Sequence, residues 1–358
     1  LADIESLELF SSSIDRPFFK KFYRVKTNNH IDLVIPKVEK LVDVVYVERP
    51  QSVQAFSVIP GNESPTNDTF SNYQWGHQIS GQTITEDKSD IEIYESKPRQ
   101  QDSNGNAVRD DIGFRAIEER NLESRFQRDV IVAVLDSGVD YSHEDFKANI
   151  LLNQKKNPET GEWEYNECNE LGLPRGGIRP PEDDRDGNGY AGDCAGWNFV
   201  DEDRPHKPED ITGHGTHVSG IIAAVKNNNL GVAGFSNRIK ILPIKVLKVV
   251  ETRRRRRSRD NDDSTTVTGF IDRVAKGIEY AVSRGADVIN LSYGWPPANN
   301  NAKSFSEMMK FIAEQEIILV AGAGNNSHDV PIFPCAMDNV ICAGSIDIDG
   351  TISEFSNF

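Results

Sequence analysis

No apolar run in the 358 residues approaches the roughly 20 that an α-helix needs to cross a bilayer, so no membrane span is expected. Basic charge is scarce: 40 Lys and Arg stand against 56 Asp and Glu, a formal net charge of -16. A phosphate backbone calls for a positive face, so no nucleic-acid partner is expected, whereas an acidic chain is suited to holding cations. The one dense basic block, Arg253 to Arg257 with Arg259, runs straight into Asp260, Asp262 and Asp263 and reads as a solvated loop or a processing site. Cysteine is limited to Cys168, Cys194, Cys335 and Cys342. Four thiols permit three full pairings, among which the sequence does not choose; Cys335 and Cys342 are close enough for a local loop or for two free buried thiols. The opening LADIESLELF has neither an initiator Met nor a basic segment followed by an apolar one. A secretory signal absent or cut off, with the chain truncated at its start, is therefore expected.

The length allows one large domain and a small one. Strand-like and helix-like stretches alternate through most of it. Val130-Ile-Val-Ala-Val-Leu135 and Ile317-Ile-Leu-Val-Ala321 read as buried parallel strands, with further strands expected at Ile239 to Leu247, Asp287 to Leu291 and Asn339 to Gly344. Helices are expected at Ile271 to Arg284, stopped by Gly285, and at Phe305 to Glu316. This alternation implies an α/β fold whose mostly parallel sheet carries helices on both faces.

One stretch stands apart: Asp210 to Val225, DITGHGTHVSGIIAAV. Gly213 and Gly215 cost helix stability, yet they flank His214 where backbone or substrate must come close. Beyond them Val218, Ile221, Ile222 and Val225 recur at helical spacing, which predicts His214 on the first turn of a buried helix. An imidazole held there suits proton transfer. His217 lies three residues on, without the i, i+4 spacing and intervening Glu of a zinc peptidase, and is expected as a buried helix residue; His143 and His206 are expected in loops. Asp136 and Asn325 follow two of the strands, at the carboxyl edge where open α/β sheets carry their chemistry.

VIVAVLDSGVD, GHGTHVSG and VAGAGNN, in that order, resemble the aspartate, histidine and oxyanion-asparagine segments of the subtilisin-like serine peptidases. The resemblance covers roughly residues 60 to 358. It implies that Asp136 orients His214, that His214 is the general base, and that Asn325 donates to an oxyanion. It also implies that Ser292, Tyr293 and Gly294 pair with substrate backbone, with Gly322, Ala323 and Gly324 as the opposite wall of the first specificity pocket. Small residues on that wall leave room for a large apolar side chain. The family's serine stands in a Gly-Thr-Ser-Met-Ala-like turn, which is absent here, so the sequence is expected to be an inactive fragment cut before its nucleophile. A catalytically dead relative acting as a binding or inhibitory module is the alternative.

Two further segments bear on the expected function, a secreted serine endopeptidase made as a zymogen and acting on protein or peptide substrates. Asp184, Asp186, Asn188, the Tyr190 carbonyl and Asp193 alternate around Gly189 as in the first half of a calcium loop, although Ala195 occupies the place of the closing Glu. Calcium is the cofactor expected there. Residues 1–56 read as a small α+β unit, with β-formers at Phe18 to Val25, Ile31 to Ile35 and Val42 to Val47 around a helical piece, Pro36 to Leu41. Its ending, KLVDVVYVERPQSVQAF, is similar to the last strand of the inhibitory propeptides of that family, which makes it an intramolecular partner. Residues 57–68 read as a linker and 69–358 as the peptidase domain, with a polar insertion at 80 to 111 and a helix from Ile112 to Leu122.

Overall fold

A computed structural model describes residues 126–358 apart from 157–162, 166, 169–180, 183, 252–264, 297–302 and 347–350. Before these it describes residues 35 and 38 and the strands Ile4–Leu9, Tyr23–Thr27, Ser52–Ala55, Thr83–Ile84 and Tyr94–Glu95. The main sheet has six strands: β1 Val130–Asp136, β2 Trp197–Asn198, β3 Ile239–Lys245, β4 Val288–Leu291, β5 Ile318–Gly322 and β6 Val340–Ala343. Their order is β6-β5-β4-β1-β3-β2, and every neighbouring pair is parallel.

Alternation along β1 builds a core on each face, because successive side chains of a strand point to opposite sides. Val132 and Val134 pack with Val139, Phe146, Ile241 and Ala223 of helix α1, His214–Ala223. Ala133 and Leu135 pack on the other face with Leu242, Ile244 and helices α2, Ile271–Ser283, and α3, Lys303–Ala313. Burying one such leucine completely contributes roughly 1.5–3 kcal/mol. The α/β sheet covered on both faces is the expected fold, with β4, β5, β6 and both later helices within a few residues of their expected positions.

Two expectations are corrected. The stretch expected as one strand from Ile239 to Leu247 divides at Val246, whose N–H donates to the Asp136 carbonyl at 2.9 Å. Pairing with β1 runs out there, and Leu247–Glu251 turns away to pair antiparallel with Thr265–Phe270. Helix α1 does not turn the whole Val218, Ile221, Ile222 and Val225 face inward: Val218 and Ile222 are half-buried and pack against the core. It buries His214, Gly215, Ser219, Gly220 and Ala223, leaves Ile221 47% exposed, and ends before Val225. The small-residue face is inward because α1 lies almost against the exit of β1: a Cβ on Gly215 would collide with the Gly138 carbonyl oxygen and press on the Asp136 Cβ.

A second, antiparallel sheet runs in the order Leu247–Glu251, Thr265–Phe270, Ser52–Ala55, Tyr293–Gly294. It joins Ser52–Ala55 of the N-terminal segment to strands from residues 247–294. Ile4–Leu9 and Tyr23–Thr27 form a separate antiparallel pair, the latter overlapping the end of the strand expected at Phe18 to Val25. Residues 35 and 38 are helical, so Ile35 belongs to the helical piece and not to a strand. Thr83–Ile84 pairs with Tyr94–Glu95 inside the expected insertion. The elements expected at Val42 to Val47 and Ile112 to Leu122 lie outside the described residues. Among the described residues, no helix is long and apolar enough to cross a membrane.

Helix α2 hides a carboxyl group. Glu279 is 1% exposed, and its Oε1 has no hydrogen-bond partner among the described residues. Burial pushes its pKa up to about 8, against a smaller downward pull from Lys276. A carboxyl group raised in the folded state from an ordinary value of 4.5 gives stability that is full below pH 4.5 and is lost as the pH climbs to about 8. In melting experiments across that window, Glu279→Gln should therefore gain on the wild type steadily with rising pH. A constant difference between the two would refute the assignment.

Candidate active site

The close approach of α1 to β1 brings together two side chains 78 residues apart in sequence. Asp136, the last residue of β1, is fully buried, and His214, the first of α1, is 9% exposed. His214 Nδ1 lies 2.6 Å from Asp136 Oδ1, which also accepts the Ser137 N–H at 2.6 Å. A buried carboxylate accepts only, so the Nδ1 proton faces Asp136. The backbone reaches this arrangement through Gly213, the residue before α1, whose φ of +82° few other residues adopt without strain. Asp136 also acts on Tyr293, whose phenol is driven well above its ordinary pKa, first by burial and then by the nearby negative charge.

The other expected site residues lie at the same carboxyl edge of the sheet. Ser292 follows β4 and accepts from the Asn290 side-chain amide at 2.8 Å. Tyr293 and Gly294 are buried. Gly322 ends β5, the Ala323 N–H donates to the Ala343 carbonyl at 2.8 Å, and the Gly324 carbonyl accepts from the Asn357 N–H at 2.9 Å. Half-buried Asn325 comes next, in a turn where the Asn357 side chain accepts from the Asn326 N–H at 2.9 Å.

One strand of the N-terminal segment occupies the groove beside them. Ser52–Ala55 is antiparallel to Tyr293–Gly294 on one side, with Tyr293 opposite Ala55, and to Thr268–Phe270 on the other, with Gly269 opposite Val53. Thr268–Phe270 is a site segment that sequence reasoning missed. Its signal was weak: a short β-forming run, TTVTGF, between a charge block and a helix.

The acidic loop divides into two parts. Glu167, Asp184 and Asp186 each offer a carboxylate oxygen, and the three atoms lie within 4.8 Å of one another. Glu167 was missed because it precedes the loop in sequence; the disulfide Cys168–Cys194 brings it there. Closing a loop of that size, with 26 residues of separation, stabilises by roughly 3–4 kcal/mol. Asn188 donates from its side-chain amide to Asp186 Oδ2 at 3.2 Å and to Asp193 Oδ2 at 3.0 Å. The Tyr190 carbonyl accepts the Asp193 N–H at 3.1 Å, while its ring meets Trp197 and Tyr280 edge-on. Asp193 faces the protein: Arg284 Nη1 donates to it at 2.6 Å and the Tyr280 hydroxyl at 2.7 Å. Burial raises the Asp193 pKa, an effect that Arg284 opposes. Cys335 and Cys342 form the second disulfide.

The remaining histidines are apart from the Asp136–His214 pair. His217 is on α1 as expected but is exposed, since the face of the helix that turns inward is the one carrying Gly215 and Ser219. Its pKa lies below the usual imidazole value, through partial cover of the ring and then through His214. His143 stacks on Phe146, and His206 is a fully buried loop residue.

The fold and the site define an α/β protein with a buried carboxylate–imidazole pair at the carboxyl edge of a parallel sheet. The model of the Subtilase family matches residues 127–358, and the chain belongs to that family. It is similar to Thermitase of Thermoactinomyces vulgaris, 36% identical over 163 residues, covering 46% of this chain and 51% of that protein. It is also similar to the Thermophilic serine proteinase of Bacillus sp. (strain AK1), 28% identical over 227 residues, covering 63% and 41%. The Intracellular serine protease of Paenibacillus polymyxa is 30% identical over 237 residues, covering 64% and 53%. The chain thus spans about half the length of these curated relatives. Among solved structures, the crystal structure of a lanthipeptide protease aligns with a TM-score of 0.42 at 20% identity, covering 67% of this chain and 56% of that one.

The buried ion pair generates a prediction. Removing one partner strands the other charge, at a cost of about 3–5 kcal/mol. Arg284→Met should lower the denaturant midpoint accordingly, and Asp193→Asn combined with Arg284→Met should recover part of the loss. Two single losses that simply add would contradict the pairing.

Proposed function

We propose that this chain carries the substrate-binding and proton-transfer parts of a secreted serine endopeptidase made as a zymogen. The observation that carries the reading is the 2.6 Å contact between Asp136 and His214 in a member of the subtilase family. Asp136 fixes the imidazole tautomer and stabilises the imidazolium. His214 Nε2 takes the proton of a serine hydroxyl as its oxygen attacks the peptide carbonyl, then gives that proton to the leaving amine. Asn325 donates its side-chain amide to the oxyanion, a contribution of about 2.7–4 kcal/mol in the family. The family's serine stands in a Gly-Thr-Ser turn, a pattern that residues 1–358 do not contain. Two disulfides among four cysteines favour an oxidising compartment.

A peptide substrate would take the position of Ser52–Ala55, adding a strand between Thr268–Phe270 and Tyr293–Gly294. That occupancy supports residues 1–56 as an intramolecular inhibitor. The product of the whole gene should hydrolyse peptides once this segment is removed, and His214→Ala should abolish turnover. The segment added separately, and shown to be folded, should inhibit. An active whole product indifferent to the folded segment would reject the zymogen reading. A product without peptidase activity would favour a binding or inhibitory module.

Calcium is proposed at Glu167, Asp184 and Asp186, whose hard oxygen donors fit it, with Asn188 and the Tyr190 carbonyl beside them. Asp193 supports the loop from its ion pair with Arg284. A bound ion would neutralise crowded carboxylates and tie the loop to the disulfide. At a hundredfold excess over the dissociation constant, stability should rise by about 2.7 kcal/mol. Added calcium should raise the melting temperature, a chelator should lower it, and Asp186→Ala should lose the response. Identical midpoints under all conditions would exclude the site.

A further inference from the structure

The start of α1 has an unusual cap. Gly213 offers no side chain, so the N–H groups of the first turn must find partners elsewhere. His214 N–H donates to Thr212 Oγ1 at 3.2 Å, Gly215 N–H to Ser137 Oγ at 3.1 Å, and Thr216 N–H to Asp210 Oδ2 at 3.0 Å. All three routes meet at Asp210. Its Oδ1 accepts from the Thr212 N–H at 2.9 Å and from Ser137 Oγ at 3.0 Å, with Thr212 Oγ1 also at 3.0 Å. Its Oδ2 accepts from Thr216 Oγ1 at 2.8 Å as well. Thr216 Oγ1 in turn accepts the Asp140 N–H at 2.9 Å.

Ser137 is bonded through its backbone to Asp136, and Thr212 and Thr216 flank His214. One carboxylate therefore holds both sides of the catalytic pair. The segment carrying it is itself fixed: the Val139 N–H donates to the Pro208 carbonyl at 2.9 Å, and Lys245 Nζ to the Glu209 carbonyl at 2.6 Å. Burial alone would raise the Asp210 pKa, but donors from Thr212, Thr216 and Ser137 hold it below the usual carboxylate value, so it stays an acceptor. The positive end of α1 favours the same charge.

We infer that Asp210 is a positioning residue of the reaction, the acceptor that locks the loop after β1 to the first turn of α1 and so sets the Asp136–His214 distance. Its bonds run to Ser137, Thr212 and Thr216, and it acts on the pair through them. Its kinetic consequences rest on the peptidase reading; its effect on the pair does not.

The test has two arms. In residues 1–358, proton NMR follows the Nδ1–H of His214, whose short bond to Asp136 should give a far-downfield, slowly exchanging signal. Asp210→Asn should broaden or shift it upfield while near-UV circular dichroism stays native. Asp145→Asn, which loosens a different buried carboxylate bonded to Asn228 and Val232, should leave the signal in place. In the active whole gene product, Asp210→Asn should lower kcat by about 10- to 100-fold through misplacement of the pair, with KM within about twofold. Ser137→Ala should cost less, and added to Asp210→Asn should cost little more, because both act along one path. An unchanged His214 signal in folded Asp210→Asn would overturn the inference, as would a kcat loss matched by Asp145→Asn. If Asp210→Asn does not fold, Ser137→Ala takes its place: a broadened or shifted His214 signal supports the inference, and an unchanged one overturns it. If the whole product hydrolyses nothing, the peptidase reading fails, and the NMR arm alone decides the role of Asp210.

Discussion

The site depends on how closely α1 approaches the end of β1. A short hydrogen bond between Asp136 and His214 requires the first turn of the helix to lie against the loop leaving the strand, and only a residue without a side chain fits at Gly215. The choices around it follow from that approach. The helix turns Ser219, Gly220 and Ala223 fully inward and leaves Val218 and Ile222 half-buried, and its first turn takes its hydrogen-bond partners from Ser137, Thr212 and Asp210. Packing energy is given up locally on α1. The sheet supplies it elsewhere, through the double-sided burial along β1 and β3.

The parallel sheet converts this local contact into a site. Because all six strands run the same way, the ends of β1, β4 and β5 reach one edge, and Asp136, Ser292 and Asn325 arrive there from three distant parts of the chain. Beyond that edge the antiparallel sheet leaves a gap between Thr268–Phe270 and Tyr293–Gly294 that one extended segment spans. Ser52–Ala55 fills it. Strand edges readily accept another extended segment, as they do Ser52–Ala55 here.

Charge is handled in two ways within one molecule. Asp136, Asp193 and Asp210 are buried or largely so, and each is met by donors or by a cation: His214 and the Ser137 N–H, Arg284 with Tyr280, and the Ser137, Thr212 and Thr216 groups. Glu279 is buried without such partners among the described residues and answers by holding its proton to a higher pH. The contrast reflects the general cost of burying an ion, which is offset either by hydrogen bonds or by neutralisation.

The alternation of strands and helices, the carboxyl-edge positions of Asp136 and Asn325, and the histidine at a helix start were all legible in the sequence, because period and flanking glycines are local properties. How α1 turns was not fully legible, since the approach to Gly138 leaves Val218 and Ile222 half-buried and Ile221 exposed. Nor was the division of the long strand at Val246, which depends on where β1 ends. Glu167 joined Asp184 and Asp186 through a disulfide whose pairing composition left open and through bonds from the Arg185 and Gly192 N–H groups, and Asp193 found Arg284 across 91 residues. Thr268–Phe270 became part of the groove only when Ser52–Ala55 lay beside it. Sequence set the identity and local conformation of the reactive groups, whereas their distances, partners and charge states depended on contacts between segments far apart in the chain, and those exist only once the sheet has assembled.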